Sequence, residues 1–254
     1  MSAGSFMGRK YRMWQRIQTV VALIYPPRCL GCGVLTESDF GLCGSCWRDT
    51  PFIGGTVCET CGMPIEGEAD GHRIECDDCL ASPRPWRDGR AALLYQGQAR
   101  SLILSFKHGD RPELARTAAL WMARAGQDLF RDEMLIAPVP LHWSRLLKRR
   151  YNQSALLAQS LARETGLDMC PDLLVRRTKT PVLDGKTAAE RADILSDAIA
   201  VHPKRRNLLT GRDILLVDDV MTSGATLAAC TRACQIAGAN HIFVLVLARV
   251  AKDA

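Results

Sequence analysis

Ile214-Leu-Leu-Val-Asp218-Asp219-Val-Met-Thr-Ser-Gly-Ala-Thr-Leu227 is the stretch that determines the fold predicted for this chain. Its first four residues form an apolar run typical of a strand buried on both faces of a parallel sheet. The acids Asp218 and Asp219 then fall at the carboxyl end of that strand, where open α/β sheets bind ligands. Two adjacent carboxylates can accept hydrogen bonds from a vicinal diol. The stretch therefore predicts a parallel α/β sheet with a sugar site at this strand end.

Small residues follow the acid pair and lead into a predicted helix over Leu227–Ala237; they are Thr222, Ser223, Gly224, Ala225 and Thr226. Hydroxyl groups and a glycine at the positive end of a helix favour a phosphate dianion. The same order could instead be a strand end and helix cap of any α/β protein, and no Walker A motif is present. The order resembles the signature loop of the type I phosphoribosyltransferases. That resemblance implies phosphoribosyl pyrophosphate as the ligand, with the loop on its 5-phosphate and the acids on its ribose hydroxyls.

Composition indicates a globular protein, because 47% of the 254 residues are hydrophobic and 24% are charged. The apolar run Val20–Tyr25 is far too short to span a bilayer, so we expect no membrane span. Basic residues before this run also fit a signal peptide, but Pro26-Pro27-Arg28 is a poor cleavage site. We therefore predict a basic lead-in helix over residues 1–28 and a cytoplasmic protein.

Charge is distributed unevenly along the chain. Residues 29–82 carry ten acidic side chains against two basic ones, a net charge of −8, while the whole chain is +6. The remainder is correspondingly basic, which suits a polyanionic ligand such as pyrophosphate or nucleic acid. A solvated surface would give the same composition, so charge alone does not choose between these interpretations.

Eight of the eleven cysteines form four C-x-x-C pairs within residues 29–82: Cys29, Cys32, Cys43, Cys46, Cys58, Cys61, Cys76 and Cys79. Two such turns supply the four thiolates of a closed, structural tetrahedral site, for which zinc is the expected metal and an iron–sulfur cluster the alternative. Sequential pairing is the simplest arrangement, and a cross-braced one stays open. A disulfide framework is disfavoured because the regular C-x-x-C pairs, the large α/β body and the lack of a convincing signal peptide together indicate a reducing cytoplasm. We predict a double zinc ribbon with two structural Zn²⁺ ions.

From residue 88 to residue 254 strand and helix patterns alternate, which predicts a parallel sheet flanked by helices. A second predicted strand ends at Leu141-His142 and runs into a segment dense in cations and amides, in which Arg145, Arg149, Arg150, Asn152 and Gln153 stand out. Guanidinium groups beside a strand end favour a second anion site, for which pyrophosphate is a suitable ligand. An exposed basic helix is the alternative.

The order of these motifs along nearly the whole chain resembles the ComF family of competence-related, phosphoribosyltransferase-like proteins. The resemblance rests on the C-x-x-C pairs, Tyr95-x-Gly97 followed by Lys107, Val139-Pro-Leu-x-x-x-Arg145, Arg150-Tyr-Asn-Gln153 and the Val217–Thr226 loop. It implies a type I phosphoribosyltransferase fold with an N-terminal Cys₄ zinc-ribbon module, and Mg²⁺-dependent binding of phosphoribosyl pyrophosphate. It also implies single-stranded DNA or a DNA-uptake helicase as a partner.

In this interpretation Asp218 and Asp219 orient the ribose and the metal's water ligands, and Arg149 and Arg150 stabilise the pyrophosphate. Further substrate contacts are assigned to Lys107, Arg145, Asn152 and Gln153. The flexible loop departs from the family pattern, since Leu183 and Ile194 stand where polar residues are usual. Two hypotheses therefore stay open: a phosphoribosyltransferase with an unknown acceptor, and a non-catalytic phosphosugar sensor that handles single-stranded DNA. In the second, Trp143 and Tyr151 are candidate stacking platforms. The oligomeric state is not predicted.

Overall fold

The computed structural model describes residues 26–37, 40–67, 71–108, 111–142, 146, 150–177 and 198–251. Nearly all of the predicted lead-in helix therefore lies outside the described residues. The chain divides into two compact units at Asp49 and Thr50. The first unit contains the first four paired cysteines and a short helix, α1 (Gly44–Arg48). The second contains the other four and every strand assigned in the described residues.

A five-stranded sheet forms the centre of the second unit, in the order β1-β7-β6-β2-β3. Every neighbouring pair in it is parallel. All eight residues of β7 are buried, as are the first four of β6, which explains their almost uninterrupted apolar sequence. Its strands are β1 (Asp88–Leu94), β2 (Leu135–Pro138), β3 (Asp168–Met169), β6 (Ile214–Met221) and β7 (Ile242–Arg249). The predicted parallel sheet is confirmed.

Helices flank this sheet, and a separate antiparallel ribbon pairs β4 (Leu174–Arg176) with β5 (Ile199–Val201). The helix predicted to begin at Leu227 begins two residues earlier, because Gly224 in a left-handed conformation serves as its N-cap. A 3₁₀ helix covers Pro203–Leu208. The helices of the second unit are α2 (Asp77–Ala81), α3 (Gly97–His108), α4 (Leu114–Ala125), α5 (Gln153–Thr165) and α6 (Ala225–Ile236). None of the helices in the described ranges is long and apolar enough to cross a membrane.

Two connections leave the middle of the sheet in opposite directions. Strands β2 and β6 are neighbours, but β2 leads through α5 to β3 on one side, whereas β6 leads through α6 to β7 on the other. Such a reversal opens a crevice beyond the carboxyl ends of the two strands, and this is where α/β sheets of this kind bind ligands. The Asp218–Thr226 segment lies at the β6 side of that crevice, as predicted from its sequence.

Candidate functional site

The acid pair lies within β6, which continues to Met221 beyond the strand Ile214–Val217 predicted from the sequence, and it is held by hydrogen bonds. The Asp218 Oδ1 atom accepts hydrogen bonds from the Ser154 hydroxyl at 2.7 Å and from the backbone N–H of Asp219 at 2.9 Å. Asp219 is only 8% exposed. Burial, and secondly the charge of Asp219, raise the pKa of Asp218 from 3.8 to about 7. Near neutral pH the pair can therefore gain or lose one proton.

Lys107 from the last turn of α3 reaches this pair. Its Nζ atom lies 3.1 Å from Oδ2 of Asp219, and the two side chains are only 16% and 12% exposed. The Tyr151 hydroxyl donates a hydrogen bond of 2.7 Å to the Phe106 carbonyl, which ties the start of α5 to the end of α3. The structure thus joins the predicted substrate contact Lys107 directly to the acid pair. Because its hydroxyl is bound to this carbonyl, Tyr151 is a weaker candidate for stacking on a nucleic-acid base.

The hydroxylated loop makes the turn from β6 into α6. Gly224 has φ 76° and is the N-cap of the helix, and the Ser223 hydroxyl accepts a 3.4 Å hydrogen bond from the Ala225 N–H. The first backbone N–H groups of an α-helix have no acceptor within the helix, and they carry its positive dipole end. Together with the hydroxyls of Thr222 and Thr226 they can bind an anion.

A buried arginine supports this loop from β7. Arg249 is 2% exposed, and its Nη1 atom donates to the carbonyls of Met221 at 3.2 Å, of Val250 at 2.9 Å and of Thr222. The Met221 carbonyl also accepts a 3.0 Å hydrogen bond from the Val250 N–H, so this guanidinium joins the ends of β6 and β7. Arg249 was not predicted from the sequence, although a single arginine at the end of the otherwise apolar run Ile242–Ala248 is a visible signal. Ser154, the hydrogen-bond donor to Asp218, was not predicted either.

The predicted basic and amide residues differ from one another in their burial and in their hydrogen bonds. The Asn152 side chain is the N-cap of α5, accepting from the Ser154 N–H at 3.1 Å and donating to the Val139 carbonyl at 3.1 Å. Gln153 is 1% exposed, whereas Arg150 is exposed and has φ 67°. Ligand contacts by these residues stay predictions. The predicted site residues Arg145 and Arg149, together with Trp143, Leu183 and Ile194, lie outside the described residues.

Two groups of four cysteines could each hold a metal ion. Within each group the Sγ atoms lie within 4.8 Å of one another, and the groups are sequential: Cys29, Cys32, Cys43 and Cys46, then Cys58, Cys61, Cys76 and Cys79. The Sγ atoms of Cys32 and Cys43 are 3.6 Å apart, as are those of Cys61 and Cys76. Tetrahedral zinc with Zn–S bonds of about 2.3 Å separates its sulfurs by about 3.8 Å. The donor set and spacing therefore fit the structural zinc ions predicted, in the sequential arrangement.

The thiols of the second group also show why a cation is needed. A hydrogen bond from Cys61 lowers the pKa of Cys58 to about 4, while the pKa of Cys61 is raised, first by that same contact. Burial raises the pKa of Cys79 to about 11. One thiolate forms readily, but Cys61 and Cys79 resist ionisation beside it. A divalent cation among the four sulfurs would offset that repulsion.

Comparison with known proteins agrees with this architecture. A family model described as a double zinc ribbon domain matches residues 20–80. Competence protein F of Haemophilus influenzae is 30% identical over 228 residues, which cover 87% of this chain and 96% of that protein. The chain belongs to the ComF family. The family assignment made from the sequence motifs is thereby confirmed.

A second relative of this ComF family member is the DNA utilization protein YhgH of Shigella flexneri. It is 29% identical over 234 residues, covering 89% of this chain and 99% of the relative. Among solved structures, adenine phosphoribosyltransferase from Rhodothermus marinus shares 17% identity at a TM-score of 0.37. That match covers 61% of this chain and 74% of the enzyme's chain.

Proposed function

We propose that this ComF family member binds phosphoribosyl pyrophosphate with Mg²⁺ in the crevice between β2 and β6. One observation carries the proposal: the buried acid pair and the loop at the start of α6 follow each other on one strand end, at the reversal of the sheet. The acids offer acceptors for a ribose diol, and the loop offers donors for its 5-phosphate. A ligand that carries both groups can bind both at once.

The carboxylates also suit a hard divalent cation. Burial and mutual repulsion raise the pKa of Asp218 to about 7, which marks a pair that would be stabilised by added positive charge. Mg²⁺ prefers carboxylate oxygens together with substrate phosphates and waters. Asp218 and Asp219 would hold it through its water ligands, and its chemistry would be to neutralise the pyrophosphate. Lys107 contributes a fixed positive charge 3.1 Å from Asp219.

We further propose that the phosphoribosyl group of this ligand is transferred to an acceptor in the same pocket. Positioning of the ribose by the acid pair and charge stabilisation of the leaving pyrophosphate would supply the catalysis, without a protein nucleophile. Of the arginines predicted to contact the pyrophosphate, Arg150 lies within the described residues, where it is exposed. The acceptor is not specified by the residues described above.

A non-catalytic role in DNA uptake is the second candidate, and the relatives favour it. One is named a competence protein and another a DNA utilization protein. In this role the pocket senses the phosphosugar, while the basic part of the chain handles single-stranded DNA or contacts a DNA-uptake helicase in the cytoplasm. The charge of +6 for the whole chain supports contact with a polyanion.

Pyrophosphate release separates the two candidates. Zinc-loaded protein is mixed with Mg²⁺, phosphoribosyl pyrophosphate and a panel of purine, pyrimidine and amine acceptors, and ligand binding is measured in parallel. Release that depends on one acceptor supports the transferase. Saturable binding without release supports the sensor, and absence of binding rejects the proposed site itself.

Single-strand binding is tested separately with a labelled oligonucleotide in a salt series. Phosphate contacts by Arg and Lys predict affinity that falls steeply as salt increases. Absence of binding at low salt would reject DNA handling by this chain and leave the phosphosugar site untouched.

A further inference from the structure

Three side chains connect the second cysteine group, which comprises Cys58, Cys61, Cys76 and Cys79, with the loop at the start of α6. The first is Arg84. Its Nη1 atom donates a 2.7 Å hydrogen bond to the Ser223 carbonyl, and its guanidinium carbon lies 5.9 Å from the centroid of the Trp86 ring. One half-buried side chain, which follows the ligand Cys79 closely in the chain, thus holds the loop.

Trp86 is the second connection. Its Nε1 atom donates a 2.7 Å hydrogen bond to the Thr60 carbonyl, which lies between the ligands Cys58 and Cys61. At the other end of the ring, Cη2 would lie only 3.0 Å from a Cβ atom added to Gly224. The indole is 4% exposed, so its position is fixed by packing on both sides. Glycine is therefore favoured at position 224 for two reasons: the backbone there is left-handed, and a side chain would crowd the ring of Trp86.

The third connection is electrostatic. The Nη2 atom of Arg249 lies 4.0 Å from Oδ2 of Asp78, the residue before the ligand Cys79. The Nη1 atom of the same guanidinium holds the carbonyls of Met221 and Thr222. Because Arg249 is 2% exposed, this charge interaction is screened little by solvent.

The cysteine group is itself fixed to the sheet. The Gly89 N–H of β1 donates a 2.8 Å hydrogen bond to the Glu59 carbonyl. A Cβ atom at Gly62 would lie 2.5 Å from the Ala91 nitrogen, and one at Gly89 would lie 2.4 Å from the Thr60 carbonyl oxygen. The C-x-x-C turn of Cys58 and Cys61 therefore packs backbone to backbone against β1. A metal-ordered turn in this position gives the loop contacts a rigid base.

We infer that the second zinc site is the support of the phosphate-binding loop, and that Arg84, Trp86 and Arg249 are positioning residues that couple the two. Zinc fixes the segment from Cys76 to Trp86, and this segment holds the loop carbonyls so that its N–H groups face the anion. Loss of this zinc loosens the loop. By linkage, an anion bound at the loop raises the affinity of the second site for zinc by the same factor. The inference rests on the proposed function for the identity of the anion.

Hydrogen–deuterium exchange of residues 222–228 tests the coupling without any ligand. We expect Arg84→Ala to speed exchange there at least 10-fold, and Trp86→Phe, which keeps an aromatic ring but loses the bond to Thr60, to have a smaller effect in the same direction. Arg87→Ala is the matched control, because Arg87 is exposed and pairs with Asp88 at 3.6 Å. Zinc content is measured for each variant. Exchange equal to the control in both variants would overturn the inference.

Zinc affinity gives the reciprocal test. In the full chain with Cys32→Ser and Cys43→Ser, the remaining zinc reports the second site alone, and its affinity is measured by chelator competition with and without Mg²⁺ and phosphoribosyl pyrophosphate. We expect the ligand to tighten zinc binding, and Arg84→Ala to abolish that gain. Ligand binding with unchanged zinc affinity overturns the coupling. If no ligand binds, the proposed function fails, and the exchange experiment still decides the coupling.

Discussion

The ammonium of Lys107 lies 3.1 Å from the carboxylate of Asp219, although 112 positions separate them in the chain. This contact brings the end of α3 to the end of β6. The positive charge lowers the pKa of Asp218 against the larger, opposing effects of burial and Asp219.

Removing this charge while keeping the side-chain length tests its role. We expect Lys107→Met to raise the pKa of Asp218 further and to weaken binding of Mg²⁺–phosphoribosyl pyrophosphate at pH 7 by about 5-fold, the effect of a rise of about one unit in a pKa of about 7. Calorimetric titration measures the affinity. Lys204→Met, at an exposed lysine of the 3₁₀ helix, is the control. Equal affinities in the two variants would contradict the role given to Lys107.

Ser154→Ala removes the hydroxyl that donates to Asp218. The carboxylate then keeps the Asp219 N–H as a donor but loses the hydroxyl, and we expect a loss of about 1–3 kcal/mol in the free energy of unfolding at pH 8, where Asp218 is ionised. The loss should shrink at pH 5. Urea denaturation at both pH values measures it, with Ser101→Ala at an exposed serine of α3 as the control. A loss that is the same at both pH values would argue against a bond to the ionised carboxylate.

Much of the fold follows from the sequence because its signals are local. Buried strands such as β7 are apolar almost throughout, and the C-x-x-C spacing itself brings two sulfurs to one turn. The helix after the loop was predicted two residues late, since no sequence rule states that Gly224 takes the cap position. Asparagine is a preferred N-cap residue, and Asn152 caps α5 in the structure, whereas its sequence motif led to the prediction of a substrate contact.

The long-range side-chain contacts that hold the site in place could not be predicted in the same way. Ser154 meets Asp218, Arg84 meets Ser223, and each pair is separated by more than sixty residues. Such contacts depend on the order of strands in the sheet and on side-chain packing, which one sequence does not encode as a pattern. Lys107 was selected through the family resemblance, and its position beside Asp219 came only from the structure.

Gly224→Ala tests the close packing at the loop. Alanine at φ 76° is strained, and its Cβ would also lie 3.0 Å from Cη2 of Trp86. We expect a loss of about 2–3 kcal/mol in the free energy of unfolding and a marked loss of ligand affinity. Gly211→Ala is a matched control with φ 68° and nothing within 4 Å of the added Cβ, for which about 1 kcal/mol is expected. Equal losses would mean that Trp86 does not constrain the loop.

Asp218 gives the ligand-free protein a distinct pH dependence. Its pKa is 3.8 in an unfolded chain and about 7 in the fold, so between these values the folded state holds a proton that the unfolded state releases. This contribution to stability is complete below about pH 4 and is lost as the pH rises through about 7. Asp218→Asn should remove that part of the slope. Denaturant midpoints measured from pH 4 to pH 8 check it, and identical slopes would contradict the raised pKa.

Ligand binding should show the opposite trend, because diol and metal contacts need the ionised carboxylate. Between pH 8 and pH 6 we expect affinity to fall by about 10-fold through Asp218 alone, beyond any effect of the ligand's own phosphates. The same titration of Asp218→Asn isolates the contribution of the ligand. If both proteins lose affinity equally, another group controls the pH dependence.

Calorimetric titration of Mg²⁺–phosphoribosyl pyrophosphate into the zinc-loaded protein shows whether the acid pair binds this ligand, with the double variant Asp218→Asn and Asp219→Asn measured beside it. We expect saturable binding of one ligand per chain, and a loss of affinity of at least about 100-fold in the double variant while the zinc content stays unchanged. No binding to the unmodified protein, or equal affinity of the two proteins, would contradict it.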